Sequence, residues 1–79
     1  MKEHLSLQDL RIGESLTVLY VDGEDAMTRR LEDLGVVEGT RVSCLGASPL
    51  GDPRAYLIRG AAIALREGDV RRVIGVEDA

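Results

Sequence analysis

Chemistry has few places to start in this chain. His4 is the one histidine among 79 residues, and acid–base or triad catalysis would need ordered partners around it. Ser6, Ser15, Ser43 and Ser48 lack a nucleophile-elbow context, and no G-x-x-x-x-G-K-[ST] phosphate loop occurs. Cys44 is the single cysteine, without a C-x-x-C, H-E-x-x-H or EF-hand spacing around it. It alternates with Val42, which predicts a buried core thiol. Acidic residues gather at Asp22, Glu24 and Asp25 and again at Glu32 and Asp33. On a helix such groups are ordinarily caps or solvated faces, and at most they would make a weak, labile site for a hard divalent ion. Neither a catalytic set nor a resident cofactor or metal site is expected. A binding module is.

The segment that stands out for binding is "ASPLGDP", residues 47–53, which holds both prolines of the chain, Pro49 and Pro53, around Leu50, Gly51 and Asp52. Each proline sets its own φ and biases the residue before it toward extended geometry. A loop stiffened this way loses little entropy on binding. It either presents Leu50 to a partner or fixes strand register with Leu50 folded onto the core.

Bulk composition narrows the partner. Net charge is −4 and the isoelectric point about 4.8, against the Lys/Arg excess by which proteins neutralise nucleic-acid phosphates or dock on anionic membranes. No nucleic acid is expected. The start, "MKEHLSLQDL", lacks the apolar stretch of a signal peptide. The longest apolar runs are about half a dozen residues, where a spanning helix needs about 20. The expectation is a cytoplasmic chain that meets a membrane only through its partner. A lone cysteine forms no internal disulfide. With 44% hydrophobic and 30% charged residues the composition is globular rather than disordered. Two Tyr and no Phe or Trp imply an aliphatic core.

The elements that must carry the loop are short. "SLQDL" (6–10) predicts one helical turn capped by Ser6, and residues 1–4 are expected to be disordered. "SLTVLYV" (15–21) reads as a strand. In "DGEDAMTRRLEDLG" (22–35), Met27, Leu31 and Leu34 share one helical face. Asp22 is its expected N-cap, Asp25–Arg29 an i,i+4 pair, and Gly35 the C′ residue. Glu38-Gly39 predicts a turn. "RVSCLGA" (41–47) and "RAYLIR" (54–59) read as strands, the first a candidate exposed edge. Gly60-Ala61 suits a type II′ hairpin loop leading into "AIALR" (62–66). "EGDVRR" (67–72) predicts a turn and "VIGVE" (73–77) a last strand. About five strands with one helix after the first, in a single domain of residues 1–79, predict a mainly β fold that closes into a small barrel.

The pieces also occur in a characteristic order. Leu31, Leu34-Gly35 and Glu38-Gly39-Thr40 form an L-x-x-L-G-x-x-x-G-T pattern. It is followed by Pro49-Leu50-Gly51-Asp52-Pro53, Arg59-Gly60 and Ile63-Ala64-Leu65-Arg66, and preceded by "LQDLRIGES". Across residues 5–77 the chain resembles the FeoA family, small cytoplasmic proteins of bacterial ferrous-iron uptake. The resemblance implies an SH3-like β-barrel, a module similar to the C-terminal part of DtxR-like metal-dependent repressors. It also implies an accessory or regulatory role, by protein–protein contact, toward FeoB, a membrane iron transporter with a cytoplasmic GTP-binding domain. On that basis Pro49, Leu50, Gly51, Asp52 and Pro53, together with Arg29 and Arg30 on the helix's outer side, are the expected partner-binding residues. Leu50 would be the apolar anchor and Asp52 its polar neighbour, while Gly35, Gly39 and Gly60 serve as turns. Two alternatives stay open: a GTPase-activating partner supplying an arginine from among Arg29, Arg30, Arg54 and Arg59, and a sensor of Fe²⁺ or another transition metal that would bind it weakly through Asp22, Glu24 and Asp25. A homo-oligomer is left open as well.

Overall fold

Ser15–Val21 (β2) shows how local chemistry becomes architecture. Leu16 and Val18 point inward and are fully buried, and strict alternation would send Tyr20 after them. A register shift between Val18 and Tyr20 in the ladder with the last strand reverses the alternation, leaving Tyr20 half exposed. The computed structural model describes residues 4–78. Around β2 lie β1 (His4–Ser6), β3 (Arg41–Ala47), β4 (Arg54–Ile58), β5 (Ala61–Leu65) and β6 (Val73–Glu77). A 3₁₀ turn spans Leu7–Asp9, and two helices, α1 (Ala26–Asp33) and α2 (Glu67–Val70), complete the fold.

All pairings are antiparallel, in the order β1-β6-β2-β3-β4-β5. The fold is thus mainly β as expected, but with six strands, and the sheet is not closed into a barrel. The extra strand is β1, where His4 pairs with Val76; residues 1–3 of the segment expected to be disordered lie outside the described residues. The expected edge, 41–47, is instead an inner strand between β2 and β4, and β1 and β5 form the edges. In place of a closing ladder, side chains of β4 reach the 3₁₀ turn. The Tyr56 hydroxyl donates to the Leu7 carbonyl at 3.1 Å and Arg54 Nη1 to the Gln8 carbonyl at 2.9 Å.

The core is aliphatic around one exception: Tyr56, fully buried, is its largest side chain. Leu7, Leu10, Leu16, Leu31, Val42, Ile58 and Val73 are among its neighbours in the buried cluster.

Helix α1 begins later than Asp22. The Asp22 carbonyl accepts from the Thr28 hydroxyl at 3.1 Å, and Asp25 is the N-cap, its Oδ1 accepting from the Thr28 amide at 3.2 Å. That start puts Thr28 and Leu31 inside and leaves Met27 39% exposed, although the spacing had placed Met27 on the packed face. At the other end the Gly35 amide donates to Glu32 and the Val36 amide to Leu31. This Schellman closure needs the left-handed φ of +102° that Gly35 adopts. The hairpin after β4 also differs from expectation. Ile58 pairs with Ala61, so the loop is Arg59-Gly60, with both residues at positive φ (49° and 82°), a type I′ rather than II′ geometry. Residues 67–70, expected as a turn, make the single helical turn of α2.

Candidate partner-docking site

The proline loop is built from its ends inward. The Ser48 amide donates to the Pro53 carbonyl at 3.1 Å, closing the base between β3 and β4. The Gly51 amide donates to the Ser48 carbonyl at 2.8 Å, making a tight turn with Pro49 and Leu50 at its corners and Gly51 at φ +86°. The Asp52–Pro53 peptide is cis. Asp52 Oδ1 accepts from the Glu67 amide at 2.9 Å, tying the loop to the start of α2. The outcome is an exposed apolar tip on a fixed base: Leu50 is 93% exposed and does not fold back onto the core. Asp52, expected to face a partner, already spends one carboxylate oxygen within the chain.

The arginines divide into tethered and free. Arg54 is spent internally. Its guanidinium donates to the Gln8 and Leu10 carbonyls, lies 3.1 Å from Cys44 Sγ, and sits 5.6 Å from the centre of the Tyr56 ring. Cys44 itself is buried. Arg72 forms a bidentate pair with Asp25, at 2.8 and 3.0 Å, so Asp25 pairs across the fold rather than with Arg29. Arg59 is exposed, with Nε 3.4 Å from the Gly35 carbonyl. Arg29 and Arg30 are exposed on α1, and no side-chain hydrogen bond or ion pair engages them among the described residues.

The fold does not bring Arg29 and Arg30 into contact with the loop; α2 connects the two regions. Asp52 holds the first residue of α2, and Arg72, two residues beyond its last, holds Asp25 at the head of α1. A shallow open cleft lined by Asp22, Gly23, Met27, Gly68, Arg71 and Arg72 marks the seam between the helices. Sequence reasoning missed this link. Its signal was the pairing of a capping aspartate with an arginine 47 residues later, and sequence spacing alone does not reveal such a pair. The acids of the α1 region do not converge either: among the described residues no group of three or more His, Cys, Asp or Glu is placed to hold a metal ion.

Asp25 makes the link pH-dependent. The Thr28 amide, then the Arg72 guanidinium, hold its carboxyl below the ordinary 3.8. A depressed folded value means the contribution is complete above 3.8 and is lost as pH falls through the lower folded value. Asparagine still caps a helix but carries no charge. In urea unfolding, wild type is therefore expected to exceed Asp25→Asn in stability at neutral pH, with the gap shrinking below about pH 4. A gap that stays constant from pH 7 to about pH 3 would rule out the ionic link.

Comparison with known proteins fits this geometry. A solved FeoA from Stenotrophomonas maltophilia in complex with zinc, described as an SH3-domain protein, is 32% identical; the match covers 94% of this chain and 89% of that one, with a TM-score of 0.78. A manganese-dependent transcriptional repressor in complex with manganese superposes with a TM-score of 0.86 at 20% identity, over 99% of this chain and 38% of the repressor. At that identity the likeness shows the shared SH3-like fold alone. A Porphyromonas gingivalis protein that fuses Fe(2+) transport protein A to the Fe(2+) transporter FeoB is 26% identical over 69 residues, which are 87% of this chain and 8% of the fusion protein's length. The FeoA domain model matches residues 5–77. With the L-x-x-L-G segment in α1 and its Schellman turn, the proline loop between β3 and β4, and the match running from β1 to β6, this chain belongs to the FeoA family.

Proposed function

We propose that the chain is a regulatory partner of a FeoB-type ferrous iron transporter, acting from the cytoplasm and docking through the Pro49–Pro53 loop. The observation that carries this reading is Leu50, 93% exposed at the tip of a loop pinned at its base and to α2. Water-exposed leucine on a rigid mount favours burial in a partner, since little conformational entropy remains to be lost. Domain context supports the same reading, because the Porphyromonas gingivalis relative carries a FeoA unit and FeoB in one chain. So does the Stenotrophomonas maltophilia relative, put forward as a bacterial ferrous iron transport activating factor. No helix among the described residues is long and apolar enough to cross a membrane.

The test is calorimetric binding to the FeoB cytoplasmic portion with and without a GTP analogue. Full burial of a leucine is worth about 1.5–3 kcal/mol, so Leu50→Asp is expected to weaken binding by roughly 30-fold while unfolding stability stays within about 0.5 kcal/mol. Unchanged affinity in a folded Leu50→Asp protein would exclude the loop.

A second reading, stimulation of the transporter's GTPase by an arginine supplied in trans, is favoured by the free guanidinium groups of Arg29 and Arg30. Arg54 is too committed to the 3₁₀ turn to serve. Arg29→Ala or Arg30→Ala would have to lower stimulated hydrolysis for this reading to hold, and unchanged stimulation in both variants would exclude it.

A further inference from the structure

Helix α2 starts on a residue that cannot cap it. Its N-cap is Arg66, whose guanidinium carries donors and no acceptor, and which makes no side-chain cap bond. The first amides of a helix have no partner within the helix itself. Asp69 Oδ2 accepts from the Arg66 amide at 3.3 Å, which leaves the amide of Glu67, the first residue of α2, to find an acceptor elsewhere. It finds Asp52 Oδ1 at 2.9 Å, 15 residues back in the proline loop.

The loop depends on this bond as much as the helix does. Two of its hydrogen bonds, from the Ser48 amide to the Pro53 carbonyl and from the Gly51 amide to the Ser48 carbonyl, lie within residues 48–53 and fix its shape. Among the described residues, the Asp52–Glu67 bond is the one hydrogen bond that joins 48–53 to another part of the fold. Shape and direction are thus set separately: the turn shapes the tip, and Asp52 aims it. Leu50, 93% exposed at that tip, has almost no surface against the fold to hold it in place.

We propose that Asp52 is a positioning residue for docking: by capping α2 it holds the direction from which Leu50 enters the partner, and its acceptor atom rather than its charge does this. Resting on the docking reading above, this role makes Asp52 an internal anchor where the sequence suggested a polar contact with the partner. The surrounding charges agree. Exposed Arg66 and Glu67, one of each sign, flank the bonded amide, and Asp52 forms no ion pair among the described residues. Arg54, the next guanidinium along the loop's other arm, is turned to Gln8 and Leu10. A loop free to leave the docking direction binds only from the fraction of molecules that still hold it, and apparent affinity falls in that proportion.

The experiment compares Asp52→Ala, which removes the acceptor, with Asp52→Asn, which keeps an Oδ1 acceptor and removes the charge. Each full chain is measured by amide relaxation and exchange when free, and by calorimetric binding to the FeoB cytoplasmic portion. In Asp52→Ala the order parameters of Leu50 and Gly51 are expected to fall from about 0.85 to below about 0.6. The Glu67 amide is expected to exchange faster, and affinity to drop roughly threefold to tenfold. Asp52→Asn is expected to keep the loop ordered and bind within about twofold of wild type. Added to Leu50→Asp, Asp52→Ala is expected to cost less than about twofold more, because Asp52 acts through Leu50. Equal losses in the alanine and asparagine variants overturn the proposal, since the carboxylate charge then meets the partner itself. So does an unprotected Glu67 amide in wild type, an Asp52→Ala loop that stays ordered, or one that loosens while affinity holds. If Leu50→Asp weakens binding and Asp52→Ala does not, the docking reading stands and the positioning role alone is lost. Wild type that fails to bind removes both.

Discussion

Gly75→Ala is expected to lower stability by about 3 kcal/mol or more, seen as a fall of roughly 12 °C or more in the thermal unfolding midpoint. Gly75 lies in β6 between β1 and β2, paired with Leu5 on one side and Val18 on the other. A Cβ built there would stand 2.3 Å from the Thr17 carbonyl oxygen, 3.0 Å from the Thr17 carbonyl carbon and 2.7 Å from Leu16 Cδ1. The first two are backbone atoms of the paired strand, so no rotamer change relieves them. The β2 register shift between Val18 and Tyr20 lies beside this contact, and glycine inside a strand often marks such a close backbone approach. Relief would mean parting β2 from β6 near the middle of the sheet. A domain of this size has roughly 4–12 kcal/mol of total stability, and overpacking against backbone alone costs about 1–3 kcal/mol or more. Gly68→Ala is the control. An added Cβ meets nothing within 4 Å there, and the change is expected to leave stability the same or raise it by up to about 1 kcal/mol. If both variants unfold alike, glycine flexibility rather than the Thr17 contact is the cause.

Tyr56→Ala is expected to cost about 3–5 kcal/mol in urea unfolding, the range for emptying a large aromatic site, and Tyr56→Phe about 0.5–1.5 kcal/mol. The difference separates two functions of one side chain. The ring fills the centre of the core and lies under the Arg54 guanidinium. The hydroxyl holds the Leu7 carbonyl, which also accepts from the Leu10 amide, so the phenylalanine variant leaves that carbonyl one partner. Burial, partly opposed by the Arg54 charge, pushes the Tyr56 phenol up from 10.0 to about 12. The folded value is raised, so this contribution is complete below pH 10.0 and is lost as pH rises toward about 12. Wild type is therefore expected to lose stability across that alkaline window more steeply than Tyr56→Phe. Parallel stability curves for the two proteins would show that the phenol is not held neutral by the fold.

The sequence by itself determined the strands at 15–21, 41–47 and 73–77 and the helix closed by Gly35. These follow from period, turn chemistry and residue type, which act over a few neighbouring residues. It also singled out the 47–53 loop, because both prolines sit there, yet left two fates open for Leu50. Tertiary structure decided that question, and the others that depend on distant partners. Asp25 rather than Asp22 caps α1 because the Thr28 hydroxyl engages the Asp22 carbonyl while Arg72, far along the chain, holds the Asp25 carboxylate. Arg54 is removed from the candidate surface by its bonds to Gln8 and Leu10, across more than forty residues. The strand at 41–47 lies inside the sheet, and β5 at its edge, because strand order is set by which faces can be buried together. Local pattern tells which residues form a strand; only the packed core decides what lies on either side of it.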